Sequence, residues 1–392
     1  MPSDQSTWLV AVPLDGDADG VHQELAAKLA SSSKPPAASL APFPIPSFKT
    51  GTLESLIALS EDLPKHDAFF TATVAKAVDT LRSLLNNDPA KLALHVQVND
   101  RSVDAYLLDS WHWNDGRYGV QRPLRDMLDV LNKEMTSVDN TLKTKLAGYN
   151  LAKGSLVQMQ RKKTGNLSVR SLVDVVRAEH FIGESEYMET LLVAVPKNLV
   201  KDWHARYERL AALVVPRSST LIAADDEYAL FNVVVFKKAH DEFVQRCREH
   251  KYIVRDFTFT EDALEKQREE LAQADTVEKE LWTELVQLAR THFSEAFQLL
   301  VHLKVLRAFV ESVLRYGLPA SYVGLVVKPE PKATKRTLAT LQAQFAYLGR
   351  RANPAKGKVG GGGAEDFGGE YQALLEQEYF DFVLFEVPWI VL

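Results

Sequence analysis

The feature that most constrains this chain is the spacing of apolar residues between Arg122 and Thr164. Leu124, Leu128, Leu131, Met135, Val138, Leu142, Tyr149, Ala152, Leu156 and Met159 follow one another in alternating steps of four and three, or in their sum. Lys145 is the one polar position in this seam. A 3.5-residue period over about five heptads is the signature of a helix that pairs with another along its length. Pro123 stands where a helix tolerates proline, in its first turn. About forty residues of helix span roughly 60 Å, longer than an ordinary domain is wide. Such a helix projects and requires a partner.

A partner exists in the same chain. Between Glu261 and Arg290, apolar residues recur at Leu264, Leu271, Ala274, Val277, Leu281, Leu285 and Leu288. Residues 122–164 hold nine Lys/Arg against four Asp/Glu, net +5. Residues 261–290 hold four against nine, net −5. Opposite fields favour pairing of the two helices and oppose self-pairing of either. The spacing and charge together predict an antiparallel two-helix neck, with neck helices over 122–164 and 260–299.

The segment between them, 165–259, reads as a compact head. "METLLVAVP", "STLIAA", "YALFNVVVF" and "YIVRDFTF" are strand candidates, and "KNLVKDWHARYERLAALV" and "KKAHDEFVQRCREHK" are helix candidates. The order βαββαβ is that of a ferredoxin-like sandwich. Residues 1–121 and 300–392 then form a larger α/β foot from both termini. Its strand candidates are "TWLVAVP", "ALHVQV", "SYVGLVVKP" and "FDFVLFEVP". Its helix candidates are "TLESLIALSEDL", "HDAFFTATVAKAVDTLRSLL" and "TKRTLATLQAQFAYLGR". The expected fold is α+β, predominantly helical, an elongated dumbbell. "SSSKPPAASLAPFPIP" and "ANPAKGKVGGGGAEDFGG" read as mobile loops. The tetrapeptide VAVP occurs at Val10–Pro13 and Val193–Pro196, read here as two similar strand ends whose flanks differ.

Composition narrows the function. Of 392 residues, 52 are acidic and 46 are Lys or Arg, a formal charge of −6 that draws the chain to neither nucleic acid nor anionic lipid. A single cysteine, Cys247, rules out a disulfide framework and a Cys-based zinc site, and fits a reducing compartment. The N-terminal stretch lacks the basic region of a signal peptide, and no apolar run approaches eighteen residues. A soluble, cytosolic protein is expected.

Local basic sites are the remaining chemistry. "RKKTGNLSVRSL" (161–172) gathers Arg161, Lys162, Lys163 and Arg170, and "FKK" adds Lys237 and Lys238. A Walker loop requires its lysine after the second glycine, an order absent here. A nucleotide- or RNA-binding regulator using 161–163 with 237–238 stays open as the alternative to a pure partner contact. Gly165 suits a helix C-terminus, and three cations in a last turn complement the helix dipole, so 161–172 also reads as a hinge-like neck–head junction. Trp111–Trp113 ("WHW") reads as a wedge closing a core, and Asp225–Glu227 as a polar hairpin turn. No catalytic, cofactor or metal motif stands out, which points to binding surfaces held at a distance rather than to an enzyme.

Five segments, "FPIPSFKTGTLESLI" (43–57), "RKKTGNLSVRSL" (161–172), "LVAVPKNL" (192–199), "DDEYALFNVVVFKK" (225–238) and "ESVLRYGLP" (311–319), resemble the C-subunit family of the eukaryotic vacuolar-type proton-pumping ATPase, most of all its fungal form. The Ala/Pro-rich 28–42 and Gly-rich 355–369 have no counterpart in that resemblance. The resemblance implies a head, helical neck and foot, no catalytic site and no cofactor. It implies a stator role: binding of E–G peripheral stalks and of the cytosolic N-terminal domain of subunit a, and release on reversible dissociation of the pump. It further implies a peripheral location on the vacuolar or another endomembrane, with actin contact a lesser implication.

Overall fold

The computed structural model describes residues 6–14, 17–31, 37–183, 185–257, 263–352 and 380–388. In chain order its main elements begin with β1 (Thr7–Pro13), α1 (Ala18–Ser31), β2 (Ala38–Phe43), α2 (Leu53–Leu84), α3 (Pro89–His95) and α4 (Leu124–Thr164). Then come β3 (Met188–Pro196), α5 (Val200–Arg206), β4 (Thr220–Ala224), β5 (Tyr228–Phe236), α6 (His240–Glu249) and β6 (Ile253–Arg255). The last are α7 (Ala263–Tyr316), β7 (Tyr322–Pro329), α8 (Thr334–Ala352) and β8 (Val383–Val387). The fold is mixed α/β, predominantly helical, with two four-stranded antiparallel sheets among the described residues. Two compact units divide the chain: 1–145 with 284–392, and 146–283. Both long helices, α4 and α7, contribute residues to each unit.

In the first unit the strand order is β2-β7-β1-β8. β1 is central and buried on both sides, which is why its sequence is an unbroken apolar run rather than an alternating one. Trp8, Val10 and Val12 face a core shared with Leu25 and Leu29 of α1 and Leu341 and Phe345 of α8. Ala11, on the opposite side, packs with Ala308 of α7 and Val383. At Gly324, paired with Phe43, a Cβ would lie 2.2 Å from the Phe43 carbonyl oxygen, so only glycine permits this approach.

Three expectations need correcting in this unit. Ala38–Phe43 lies inside the supposed loop 31–46 yet forms β2, an edge strand, where Pro42 removes no essential ladder bond. "ALHVQV" is no strand: its first three residues end α3, started by Pro89 and capped by the Asp88 carboxylate on the N–H groups of Ala90 and Lys91. The two expected helices over 53–85 are one, α2, with Pro64 inside it; Thr52 caps its start by accepting from the Ser55 N–H. The Gly-rich 355–369 lies outside the described residues.

Charge is also buried here. Lys304 of α7 sets its Nζ 2.8 and 2.9 Å from the two oxygens of Asp67 of α2, and Arg307 bonds the same carboxylate. Asp67 and Lys304 are both buried. Removal from water holds the Lys304 ammonium below its ordinary pKa, against the pull of Asp67. The Arg307 guanidinium lies 4.4 Å from the Phe385 ring centre.

The second unit contains the sheet β4-β5-β3-β6, all pairs antiparallel, in the chain order βαββαβ. This is the ferredoxin-like order expected from the sequence. Leu191, Val193 and Val195 of β3 meet Trp203 of α5 and Phe243 and Cys247 of α6 on one face. Leu192, Ala194 and Leu230 on the other face are covered by Leu167, Leu172 and Val176. Burial pushes the Cys247 thiol up to about 12, so it is a small apolar filler and no nucleophile at neutral pH.

The seam on α4 is buried at Leu124, Leu128, Leu131, Met135, Val138 and Leu142 in the first unit, and at Tyr149 and Leu156 in the second. On α7, Leu285 is buried and Leu288 half-buried in the first unit, and Leu271 and Leu281 are half-buried in the second. Val277 departs from the expectation: it is 47% exposed and outside the seam. The side chain of Leu264 lies outside the described residues.

Candidate partner-contact site

The basic stretch opens at the C-terminal end of α4. Arg161, Lys162 and Lys163 occupy its last turn, all three exposed, where their charge complements the helix dipole. Their side chains make no ion pair among the described residues. Gly165 comes next, its N–H donating to the Arg161 carbonyl over 2.8 Å. A Cβ there would stand 2.9 Å from the same carbonyl oxygen, so close approach, not left-handed backbone, selects glycine.

Residues 166–171 form no loose hinge. The Leu167 N–H donates to Asp225 Oδ2 at 2.5 Å, and Asn166 Nδ2 donates to Glu227 Oε2 at 2.6 Å. Arg255 reaches from β6 to donate to the carbonyls of Leu167 and Arg170, each at 2.8 Å. The Ser171 N–H closes the loop onto the Lys162 carbonyl at 2.5 Å. The expected hinge-like junction is therefore corrected to a clamped one. The acidic hairpin turn Asp225–Glu227 supplies half of the clamp.

Electrostatics agree with the geometry. Burial pushes the Asp225 carboxyl up, but the N–H groups of Leu167, Tyr228 and Glu227 outweigh it and hold the group below its ordinary value. Arg255 is pulled down by burial and stays charged.

The structure separates the expected basic residues into different roles. Arg170 turns to its neighbour Asp174, with Nη2 2.6 Å from Oδ2, and belongs to the packing of the junction. Lys237 donates its Nζ to the Ser185 carbonyl at 2.8 Å, while Lys238 is exposed. Asn166 and Leu167, just beyond Arg161–Lys163 in the chain, bond the turn that precedes β5, whereas Lys237 and Lys238 come after β5. The nine residues of β5 lie between, a distance of about 27 Å at strand rise.

The aromatic wedge is a core feature, as expected. Trp111 stacks on Phe43 at 4.0 Å and Trp113 meets Phe48 edge-on at 4.8 Å. His302 lies against both tryptophans. It donates Nδ1–H to the Gln298 carbonyl and accepts the Asn114 N–H at Nε2, and burial lowers its pKa to about 4. Among the described residues no cluster of His, Cys, Asp and Glu could hold a metal ion, and no helix is long and apolar enough to cross a membrane.

Comparison with known proteins decides the family. The family model for the V-ATPase C subunit matches residues 7–383. The chain belongs to the V-ATPase C-subunit family. It is 38% identical over 347 residues to the V-type proton ATPase C subunit of Manduca sexta, covering 88% of this chain and 89% of that one. It is 34% identical over 380 residues to the C 1-B form from Danio rerio, covering 97% of both. The C 1 form from Xenopus tropicalis is 36% identical over 341 residues, 87% of this chain and 88% of its own. A solved cytoplasmic N-terminal domain of the V-ATPase I subunit, a homolog of subunit a, aligns over 88% of this chain and 97% of its own. Its TM-score of 0.29 at 14% identity carries no argument. The family match runs through both units and takes in the clamped junction and the buried seam.

Proposed function

We propose that this chain is a non-catalytic stator subunit of a vacuolar-type proton pump. It bridges E–G peripheral stalks and the cytosolic N-terminal domain of membrane subunit a at an endomembrane, and it leaves when the pump's two sectors dissociate. ATP hydrolysis belongs to other subunits. Head, neck and foot correspond to 165–259, the paired helices 122–164 and 260–299, and the two terminal segments.

The observation that carries this reading, beside the family, is that α4 and α7 make a side-chain contact with each other within each unit taken by itself. Lys145 pairs with Glu284 at 2.5 Å, and Tyr149 donates to Glu278 at 2.9 Å. A paired helix resists bending better than a single one, which a torque-bearing tether needs. The exposed cations at 161–163, adjoining the clamp, are the contact we assign to a stalk. The nucleotide-binding alternative loses support because Lys237 Nζ is engaged by the Ser185 carbonyl and the residues after Lys163 are bonded to the turn at the other end of β5.

Titration of the full chain against an E–G stalk tests the assignment. Saturable binding that falls about tenfold in the triple variant Arg161→Glu, Lys162→Glu, Lys163→Glu supports it. Equal affinity of variant and parent removes these residues from the contact.

A further inference from the structure

The two sheets are more alike than their order alone requires. Taking each unit's strands in chain order as one to four, both sheets read two-three-one-four. In the first unit strands two and three are β2 and β7, and the whole second unit lies in the connection between them. In the second unit they are β4 and β5, joined by a tight turn.

Strand one is nearly the same heptapeptide in both. Thr7–Pro13 is TWLVAVP and Thr190–Pro196 is TLLVAVP, differing only at Trp8 and Leu191. The faces correspond: Trp8, Val10 and Val12 turn to α1 and α8 as Leu191, Val193 and Val195 turn to α5 and α6. Ala11 and Ala194 turn to the opposite face in both. The register corresponds as well. Pro13 stands opposite Tyr322 as Pro196 stands opposite Tyr228. One hydrogen bond closes each strand end, from Leu14 N–H to the Ser321 carbonyl at 3.0 Å and from Lys197 N–H to the Glu227 carbonyl at 2.9 Å. These are the same two positions, one past the proline and one before the tyrosine.

That same end receives a long helix in each unit. In the second, α4 ends at Thr164, and just past Gly165 the residues Leu167 and Asn166 bond Asp225 and Glu227. In the first, α7 ends at Tyr316, whose Oη lies 3.4 Å from the Ala11 carbonyl, and the carbonyl of the next residue, Gly317, accepts from Tyr322 Oη at 2.7 Å.

We infer that the two units are copies of one βαββαβ module, the second inserted between strands two and three of the first, and that in both the Pro–Tyr end of the central strand pair is the docking surface for the C-terminal end of a long helix. Matched strand order alone arises by convergence. A shared heptapeptide in the same register, with the same residues on the same faces and the same closing bond, does not follow from strand order. The sequence conceals the repeat because strands two and three of the first copy are 278 residues apart (Phe43 to Tyr322 with 44–321 between).

Two measurements on the full chain test this. A crystal structure should let Thr190–Pro196 be laid on Thr7–Pro13 and bring the other three strands and both helices into coincidence in chain order. A fit that works only after an odd register shift, matching Val10 to Leu192, or that sets the helices on opposite faces, overturns the shared module. Hydrogen exchange then tests the docking end. Asp225→Ala should speed exchange about tenfold at 164–170 and 225–228, leaving the first unit unchanged. Tyr322→Phe should do the same at 313–317 and 321–323, leaving the second unit unchanged. Unaltered exchange at either helix end overturns the docking role of that surface.

Discussion

Asp225 and Arg255 hold one short segment by opposite polarities. The carboxylate of Asp225 takes the Leu167 N–H, and the guanidinium of Arg255 takes the Leu167 and Arg170 carbonyls. A segment gripped at both its donors and its acceptors has little freedom left, so the end of α4 is tied to the sheet of the second unit. Replacing Arg255 by Ala leaves two partly buried carbonyls without their donor. We expect a loss of about 3 kcal/mol in urea unfolding of the second unit, with Arg255→Lys recovering less than half because an ammonium cannot fork.

The same clamp has a pH signature. The Asp225 carboxyl is held below the ordinary 3.8, so the stability it contributes is complete above that value and lost as pH falls through the lowered one. Asp225→Asn should flatten the fall in stability between about pH 4 and pH 3, and should lower stability at pH 7. Melting temperature recorded against pH for parent and variant checks both signs.

The Asp67–Lys304–Arg307 cluster should respond asymmetrically. Asp67→Asn leaves two cations facing each other in a buried place and should cost the first unit about 3–5 kcal/mol. Asp67→Leu combined with Lys304→Met removes the buried pair together and should cost markedly less. Equilibrium urea unfolding of both variants decides.

The proposed neck should fail when charge enters its seam. Leu131 and Leu142 are both buried on α4. Leu131→Asp with Leu142→Asp should cost more than about 4 kcal/mol in the first unit and abolish assembly of the pump. The second unit, whose core holds Trp203 and Phe231, should keep its fold. Circular dichroism with tryptophan fluorescence, then co-purification with the pump, reads both effects.

What was legible in the sequence was whatever repeats at short range. The 3–4 spacing from Leu124 to Leu156 marked α4 within two residues of its observed start, and the runs METLLVAVP and YALFNVVVF are β3 and β5 to the residue. β2 was hidden because Pro42 and its Ala and Ser neighbours are loop residues by composition, and only an edge position lets them pair. The Asp67–Lys304 pair spans 237 residues, and nothing local marks it. At the candidate site, the cations at 161–163 were visible as charge, but their separation from Lys237 and Lys238 required the direction of β5. The clamp was invisible for the opposite reason: Asp225 sits in a sequence that any solvated turn could carry.

The bridging role is tested most directly by a three-component titration. The full chain, an E–G stalk and the N-terminal domain of subunit a are mixed at equal concentration and followed by analytical ultracentrifugation. A bridging stator predicts a species containing all three, formed only when this chain is present. Competition between stalk and subunit a for a single place on the chain, so that no ternary species forms, would contradict it.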